Sequence, residues 1–385
     1  MPRSIAGILV SRAFRSLAYG ALAVVFAQAL AVRGLSALAI GSLITAALLA
    51  GALASALTGR FVRAAGARVT YAAAGAAMIV AAALLAGNDI AIACACLLGV
   101  VSPGAQDVGP PAAIEQVALA ADGISTTRRL SWYNVVGATG VALGALCAAV
   151  VPFAGALALY AAAGAVGIIV AWTLPDVPLP IPPPAQPHAK RADIVARLAA
   201  LFALDAFAGG FVVQAFVAYW FSLRFGVGPQ AIGPLLFGAN VLAALSYLLA
   251  ERVAARIGLL NTMVFTHLPS NVLLLLVPFM PTFPLAAAVL LARFALSQMD
   301  VPTRQAYTLA LVPPHDRARA AGVTASVRPA AASLAPVLTG IAFQFAVFGL
   351  PFVLAGTLKI AYDLALLATF RRTPLHDGDA ANANV

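Results

Sequence analysis

Charged residues are scarce in this chain, which sets it apart from soluble proteins. Of its 385 residues, 9% are Asp, Glu, Lys or Arg and 63% are hydrophobic, whereas an average soluble domain carries about 25% charged residues. The mean hydropathy is +0.98. A chain this long with so few charges is not a soluble globule. The composition therefore predicts an integral membrane protein.

Cysteine is also scarce, and the short motifs of common enzyme classes are missing. Cys94, Cys96 and Cys147 lie in apolar runs without metal-ligand spacing, which predicts small buried side chains rather than a metal site. The sequence has no Walker-type Gly-x4-Gly-Lys-Ser/Thr loop, no Gly-x-Ser-x-Gly and no His-Glu-x-x-His. Because these motifs supply phosphate binding, a nucleophile and a metal site, we predict that the protein is not an enzyme. We expect no cofactor, no metal and no direct use of ATP.

Basic residues outnumber acidic ones, and the formal net charge is +10. They fall mostly in short loops and form no basic domain, which excludes a nucleic-acid-binding function. If the N-terminus is cytoplasmic, the outer loops carry only Arg33 and Arg224, as expected when Lys and Arg concentrate on the cytoplasmic side. We therefore expect a multi-pass protein of the cell (inner) membrane with both termini in the cytoplasm. The inner loops then carry Arg60, Arg63, Arg68, Arg128, Arg129, Lys190, Arg191, Arg252, Arg256, Arg317, Arg319, Arg371 and Arg372.

Apolar segments long enough to cross a bilayer recur along the whole chain. A span needs about 20 mainly apolar residues. This template predicts an all-α integral membrane protein with about twelve transmembrane helices. Their expected limits are 5–31, 36–58, 69–87, 90–120, 131–151, 155–174, 194–222, 229–250, 261–281, 284–312, 321–348 and 350–370.

A proline-rich segment divides these spans into two sets of six. Residues 175–193 contain too many prolines for a helix and predict an extended linker. We therefore expect an N-terminal six-helix half over 1–174, a cytoplasmic linker over 175–193, a C-terminal six-helix half over 194–372 and a cytoplasmic tail over 373–385.

The two halves repeat weakly in sequence. The tripeptide Ala-Ile-Gly at 39–41 recurs at 231–233, and Gly66 and Thr70 match Gly258 and Thr262, all at an offset of 192 residues. An Asp-Val pair at 107–108 recurs at 300–301, at an offset of 193. Internal repeats with a binding site between them are the usual plan of secondary transporters.

The connection between the second and third helices carries a recognisable pattern of glycine and basic residues. With its six plus six spans and central linker, the chain resembles the major facilitator superfamily, and residues 266–271 and 298–305 resemble a bacterial subgroup of it. The resemblance implies two pseudo-symmetric six-helix halves and secondary transport by alternating access. Arg63 stands where the family pattern has an aspartate that helps lock the cytoplasmic gate. The residues that match this pattern or take its positions are Gly59, Arg63, Gly66 and Arg68, with Glu251, Arg252 and Gly258 in the second half.

Segment 293–307 places charges inside an apolar helix. Arg293, Ser297, Asp300 and Arg304 recur at spacings that put them on one helix face. A charge at the centre of a bilayer costs at least ~2.5–3.5 kcal/mol, so such residues usually line a polar interior or a pathway. The alternative is that they only hold helices together. Pro302 lies within the stripe and is expected to bend the helix.

Helix 1 carries two arginines near its cytoplasmic end. Arg12, Arg15 and Tyr19 share one face because they are three and four residues apart. Arg12 can extend to the cytoplasmic surface. Arg15 corresponds to Asp205 in the other half, at an offset of 190. We hypothesise that Arg15 and Asp205 pair across the halves as a latch or as part of a proton site.

A second pairing of opposite charges is predicted near the inner vestibule. Glu115 and Arg304 lie at similar distances from the following loop arginines. We hypothesise that they pair across the halves and separate when the vestibule opens. Pairing within each half, Glu115 with Arg128 or Asp300 with Arg304, is an equally good alternative.

Two further sets of polar residues lie at membrane depth, and a structural role is expected for both. Lys359 and Asp363 are four residues apart and can neutralise each other on one helix. His267 can titrate, but a buried histidine with satisfied hydrogen bonds is the commoner situation.

These patterns favour a secondary active transporter of a small molecule. Proton coupling is expected because membrane carboxylates can load and release a proton as their environment changes. The candidates for proton coupling are Asp205, Asp107, Glu115 and Asp300. The candidates for substrate binding or gating are Arg15, Tyr19, Tyr133, Asn134, Arg293, Arg304, Gln298, Asn271 and Arg328.

Export of an amphipathic or drug-like compound is the first expectation. The alternative is a uniporter or importer of an organic anion that the intramembrane arginines would bind. A non-transporting scaffold or receptor on a transporter fold is the alternative from another class. The expected partners are the lipid bilayer, a small-molecule substrate and protons or another coupling ion, with no nucleic acid and a monomeric state.

Overall fold

The structure is a computed structural model that describes residues 3–107, 109–120, 126–174, 192–313 and 316–373. These residues form α-helices joined by short connections, with no β-strand among them. In the N-terminal half the helices are α1 Arg3–Val32, α2 Ala37–Ala65, α3 Ala67–Leu85, α4 Asp89–Leu97, α5 Pro110–Ala120, α6 Thr126–Cys147 and α7 Phe153–Ala171. In the C-terminal half they are α8 Ala192–Gly210, α9 Gln214–Phe225, α10 Pro229–Ile257, α11 Leu259–Leu276, α12 Phe283–Ser297, α13 Asp300–Ala310, α14 Arg317–Ser333, α15 Ala335–Gln344 and α16 Leu350–Phe370.

The helices are long and apolar enough for a multi-pass membrane protein. In the described part of the chain, 10 helical segments meet the length and hydropathy of a membrane span, and α6 adds the shorter apolar stretch Trp132–Cys147. Together with the interrupted pair α4 and α5, this agrees with the prediction of about twelve transmembrane helices. Large apolar side chains such as Leu53, Leu248 and Phe265 are more than half exposed, as expected for residues that face lipid.

The predicted connection between the second and third helices is wrong in extent. Helix α2 continues to Ala65, so the positions from Gly59 to Arg63 are helical, and only Gly66 separates α2 from α3. In the same way, only Gly258 separates α10 from α11. Both glycines have a backbone φ of +83°, which residues other than glycine rarely adopt. One glycine therefore turns the chain where sequence reasoning expected a loop.

The two glycine turns are equivalent in detail. Thr70 donates its hydroxyl to the carbonyl of Gly66 at 2.8 Å, and Thr262 donates to the carbonyl of Gly258 at 2.8 Å. These residues match at the offset of 192 noted in the sequence. The weak repeat therefore corresponds to equivalent local structure in the two halves.

Two of the predicted continuous spans are interrupted. The span predicted over 90–120 contains α4, which ends at Leu97, and α5, which begins at Pro110, and the described residues between them, 98–107 and 109, are not helical. The span predicted over 284–312 breaks between α12 and α13, before Asp300. Pro302 thus lies in the first turn of α13 and does not bend a continuous helix. The reason is that its ring would clash with the carbonyl of Gln298, four residues earlier.

Glycines let α1 and α6 approach closely. A Cβ atom added to Gly20 would overlap the backbone carbonyl of Val141, and one added to Gly144 would overlap that of Leu17. Small residues allow such backbone contact between membrane helices. The glycine-rich run 137–144 therefore allows α6 to pack closely on α1.

By its contacts the described chain divides into two compact units. The first unit contains the described residues up to 174 together with Val213–Asn240, and the second contains those from 192 to Val212 together with those from Val241 onward. Each has its own buried core. In the first unit this core includes Ile8, Tyr71, Leu119, Tyr133 and Leu174. In the second unit it includes Leu198, Phe202, Val264, Tyr307 and Leu366.

Candidate functional site

The first unit buries a cluster of two arginines and two carboxylates around α1. Arg15 donates through Nε to Oδ1 of Asp107 at 2.9 Å, and through Nη1 and Nη2 to the two oxygens of Glu115 at 3.0 and 2.6 Å. Arg12 also pairs with Asp107 and lies 4.5 Å from the ring centre of Tyr133. We call these four charged residues, Arg12, Arg15, Asp107 and Glu115, the first cluster.

Hydroxyl groups complete the hydrogen bonds of the first cluster. The Tyr133 hydroxyl lies 2.8 Å from Glu115 and 3.0 Å from Asp107, and the Tyr71 hydroxyl donates to Glu115. Glu115 is fully buried, yet its carboxylate meets a guanidinium and two phenols. Two positive and two negative charges balance, and each carboxylate contacts an arginine. The first cluster therefore connects α1, α3, α5 and α6 through hydrogen-bonded charges.

The second unit centres on Asp205 of α8. Lys359 of α16 donates to its carboxylate at 2.5 Å, and Arg328 of α14 donates at 2.9 Å. Arg304 of α13 lies 3.5 Å away. Asp205 is 2% exposed, so three cations share one buried carboxylate. This brings together residues from four helices whose charges are scattered in the sequence.

The residues of the predicted pairs between the halves have partners within their own unit. Glu115 binds Arg15, and Asp205 binds Lys359 and Arg328, so the hypothesised partners are engaged elsewhere. Of the alternatives, the pair Asp300–Arg304 is present at 2.5 Å. The other alternative names Arg128, whose side chain lies outside the described part. The expectation that Arg12 extends to the cytoplasmic surface is wrong, because its guanidinium pairs with Asp107.

The expected pairing of Lys359 with Asp363 is also wrong. Lys359 reaches Asp205, whereas Asp363 faces α11 and accepts hydrogen bonds there. His267 Nδ1 and Asn271 Nδ2 each lie 2.9 Å from one Asp363 oxygen. Asp363 is fully buried, and no lysine or arginine of the described residues lies within 4.0 Å of its carboxylate. It is thus a buried carboxylate with uncharged donors.

His267 lies between Asp363 and Asp205. Its Nε2 atom lies 4.0 Å from Oδ1 of Asp205, while Nδ1 faces Asp363. His267 is 4% exposed and packs edge-on against Tyr362 at 6.0 Å between ring centres. Sequence reasoning expected structural roles for His267 and Asp363 and did not select either of them as a site residue. The available signal was the spacing of His267 and Asn271, which puts both on one face of α11.

Arg293 of α12 differs from the other buried arginines. Its side chain is 9% exposed, and its Nε atom is buried without a hydrogen-bond partner. The guanidinium lies 5.0 Å from the ring centre of the adjacent Phe294. No carboxylate among the described residues lies within 4.0 Å of it. We call Asp205, His267, Arg293, Asp300, Arg304, Arg328, Lys359 and Asp363 the second cluster.

The remaining sequence candidates lie outside direct contact with these charges. Tyr19 is buried against Tyr160, with ring centres 5.7 Å apart. Asn134 is exposed, and Gln298 accepts a hydrogen bond from the Tyr247 hydroxyl at 3.0 Å. The residues of the family pattern lie at the two glycine turns. These are Gly59, Arg63, Gly66 and Arg68 at the first turn and Glu251, Arg252 and Gly258 at the second.

Comparison with known proteins identifies the fold. No model of a protein family matches the chain. An uncharacterized membrane protein of Saccharomyces cerevisiae is 27% identical over 178 residues, which are 46% of this chain and 40% of that protein. The chain thus matches less than half the length of that relative.

Solved structures match over nearly the whole chain. The nucleoside transporter NupG matches with a TM-score of 0.74 and 14% identity, over 96% of this chain and 99% of its own. A D-xylose-proton symporter matches with a TM-score of 0.69 and 14% identity, over 97% of this chain and 99% of its own. The human organic anion transporter MFSD10 matches with a TM-score of 0.69 and 16% identity, over 95% of this chain and 100% of its own. The chain therefore has the fold of the major facilitator superfamily transporters.

Proposed function

We propose that the protein is a proton-coupled secondary active transporter whose proton binds the pair His267–Asp363. The observation that carries the proposal is the position of Asp363, a fully buried carboxylate whose described partners are a histidine and an asparagine. The transporter fold supports membrane transport as the activity. Proton coupling is known for one protein of this fold, the D-xylose-proton symporter.

The geometry of the pair sets how many protons it holds. His267 Nδ1 and Asp363 Oδ1 are 2.9 Å apart, so one proton lies between them, since two facing lone pairs would repel. With only that proton, the pair carries one negative charge. A second proton on Nε2 makes the pair neutral and faces Asp205, 4.0 Å away. Histidine is the side chain suited to exchanging such a proton near neutral pH.

Burial makes the loss of this second proton consequential. An uncompensated charge in a buried site costs several kcal/mol, and no lysine or arginine of the described residues contacts Asp363. Closed off from water, the pair by itself therefore favours holding the second proton, whereas the excess of cations over carboxylates in the second cluster opposes it until an anion binds. That dependence on the anion is what an alternating-access cycle needs to couple a proton to transport.

The carboxylates that the sequence favours for proton coupling have a different environment. Asp107, Glu115, Asp205 and Asp300 each contact an arginine or lysine at 2.9 Å or less. A permanent cation at that distance stabilises the ionised carboxylate. We therefore assign these four residues to positioning the helices and the cations.

Charge also favours the anion alternative over export of an amphipathic compound. The second cluster has four permanent cations, Arg293, Arg304, Arg328 and Lys359, and three carboxylates, Asp205, Asp300 and Asp363. A positive surplus at a buried site attracts an anion and repels a cationic drug. We propose that the protein carries protons together with an organic anion into the cytoplasm, the side on which the sequence predicts both chain termini.

Proton flux into proteoliposomes tests the proposal. The lumenal pH is followed with a dye while an inward proton gradient is imposed and small organic compounds are added in turn. The expected result is compound-dependent acidification that is lost in His267→Gln and kept in Arg256→Gln, which changes an exposed arginine of α10. Compound-dependent flux that persists in His267→Gln would contradict the assignment of the proton site.

A further inference from the structure

We infer that Arg293 binds the anionic group, a carboxylate or phosphate, of a small organic substrate. The inference deepens the proposed function, on which it rests, by naming the residue that anchors the substrate. Of the arginines that sequence reasoning assigns to substrate binding or gating, Arg15 binds Asp107 and Glu115, Arg304 binds Asp300, and Arg328 binds Asp205. Among these arginines, Arg293 alone has no carboxylate of the described residues within 4.0 Å.

The state of Arg293 is costly unless something pairs with it. Its side chain is 9% exposed and its Nε donor is buried without a partner. The carboxylates that act on it electrostatically, Asp205 and Asp300, lie beyond contact distance. Removing a guanidinium from water without pairing it destabilises a protein. A residue kept in this state is explained if a ligand supplies the missing negative charge.

The chemistry of the side chain defines the ligand. A guanidinium offers a planar fork of N–H donors that matches the two oxygens of a carboxylate or phosphate. The ring of Phe294 lies 5.0 Å from the guanidinium and supplies a flat apolar surface beside it. An organic anion can therefore place its oxygens on Arg293 and its carbon skeleton against apolar groups.

Arg293 is a poor candidate for a purely structural role. An arginine that holds helices together contacts carbonyl or carboxylate oxygens of a neighbouring helix, as Arg328 does with the Phe202 carbonyl at 3.4 Å and Asp205 at 2.9 Å. Arg293 makes no such bond within the described part of the chain. Its closest aromatic contact is with the next residue in sequence, which ties it to no other helix.

The charge count links anion binding to the proton. With one proton on the pair His267–Asp363 the second cluster has a surplus of one positive charge, and with the second proton it has two. The groups that face His267 are Asp205 of α8 and Asp363 and Tyr362 of α16, with Asn271 on its own helix. An anion on Arg293 offsets the charge that the proton adds, so each favours the other. Proton and anion would then move together.

The first test measures binding at equilibrium in detergent, without a gradient. Melting temperatures are recorded with aromatic and short-chain monocarboxylates and with phenyl and sugar phosphates, each beside its neutral amide or parent alcohol. At least one anion is expected to stabilise the protein where its neutral partner does not. Binding should be lost in Arg293→Gln, weaken by about tenfold or more in Arg293→Lys because the fork is lost, and persist in Arg256→Gln.

Two results would overturn the inference. One is that no anion in either series stabilises the protein more than its neutral partner. The other is that anion binding is unchanged in Arg293→Gln. Repeating the measurement with phosphatidylglycerol separates a lipid headgroup from a soluble phosphate. Because no gradient is present, failure here is distinct from failure of proton coupling, which the flux assay reports.

The second test needs no ligand. If Arg293 is an unpaired buried charge, Arg293→Met should raise the melting temperature of the ligand-free protein by about 2 °C or more. The matched change Arg304→Met should lower it, because Asp300 would lose its contact at 2.5 Å. A fall in melting temperature for Arg293→Met as large as that for Arg304→Met would show that Arg293 is structural.

Discussion

Replacing Asp363 with asparagine should abolish proton coupling while leaving the protein stable. The substitution keeps the shape of the side chain and removes its charge. In the structure this carboxylate accepts hydrogen bonds from His267 and Asn271 at 2.9 Å each and touches no lysine or arginine of the described residues. The substitution should therefore remove proton coupling without a comparable loss of stability.

The expected magnitude follows from two opposing effects. A hydrogen bond to a charged group contributes about 1.5–3 kcal/mol and one between neutral groups about 0.5–1.5 kcal/mol, so weakening two bonds costs roughly 2–3 kcal/mol. Removing a buried charge without a cation partner recovers a desolvation penalty of several kcal/mol. The side-chain oxygen of Asn271 is buried and has no hydrogen-bond partner among the described residues. If the Asn271 amide rotates, this oxygen can accept a hydrogen bond from the N–H group that the substitution introduces. The net change should lie within about 1–2 kcal/mol of zero.

Asp205→Asn is the matched control because it makes the same chemical change at an equally buried site. Asp205 neutralises Lys359 at 2.5 Å and Arg328 at 2.9 Å, so its removal leaves the buried Lys359 and the partly exposed Arg328 without their anion. Breaking a buried pair in this way costs about 3–5 kcal/mol. Unfolding free energies from denaturant titration in detergent, measured beside proton flux in proteoliposomes, separate the two variants. Equal destabilisation of both variants, or retained flux in Asp363→Asn, would refute the reasoning.

Four further results are expected. Gly144→Ala should reduce the yield of monodisperse protein in size-exclusion chromatography because its Cβ would overlap the Leu17 carbonyl, whereas Gly322→Ala, with nothing within 4 Å, should not; equal yields would argue against the α1–α6 contact. Arg15→Met should lower the unfolding free energy by about 3–5 kcal/mol because Glu115 would lose its cation, and an unchanged denaturation midpoint would contradict this. Gly258→Ala should cost about 1–3 kcal/mol in the same assay because φ is +83°, and an unchanged denaturation midpoint would contradict this strain. Acidification should tighten anion binding in the melting assay, since the added proton enlarges the positive surplus, and pH-independent affinity would speak against this linkage.

Much of the architecture could be predicted from the sequence because it follows from local physical rules. Apolar runs of bilayer length predict the spans, and the offset of 192 between Gly66 and Gly258 indicates an internal repeat. The pair Asp300–Arg304 follows from its spacing of four on one helix. These features depend on residues close together in the chain.

The charge partners could not be predicted because they depend on how helices face one another. Lys359 and Asp363 share one face of an isolated helix, yet Lys359 reaches α8 and Asp363 faces α11. Nothing in the spacing on α16 specifies which neighbour each side chain meets. In the same way, Glu115 finds Arg15 one hundred residues earlier in the chain. Sequence reasoning placed the bend at Pro302 itself. The break lies before Asp300 instead, because the ring of a proline clashes with the carbonyl four residues upstream.

The most direct measurement of the central claim is the protonation of His267 itself. Nitrogen-15 NMR of histidine-labelled protein distinguishes Nδ1 from Nε2, and His267→Gln identifies the signal. The account predicts that His267 keeps its Nδ1 proton and that acidification adds a second proton on Nε2. It further predicts that this gain disappears in Asp363→Asn, where the imidazolium would lack its negative partner. A His267 that stays neutral throughout, or that titrates identically in Asp363→Asn, would contradict the assignment of the coupling proton to this pair.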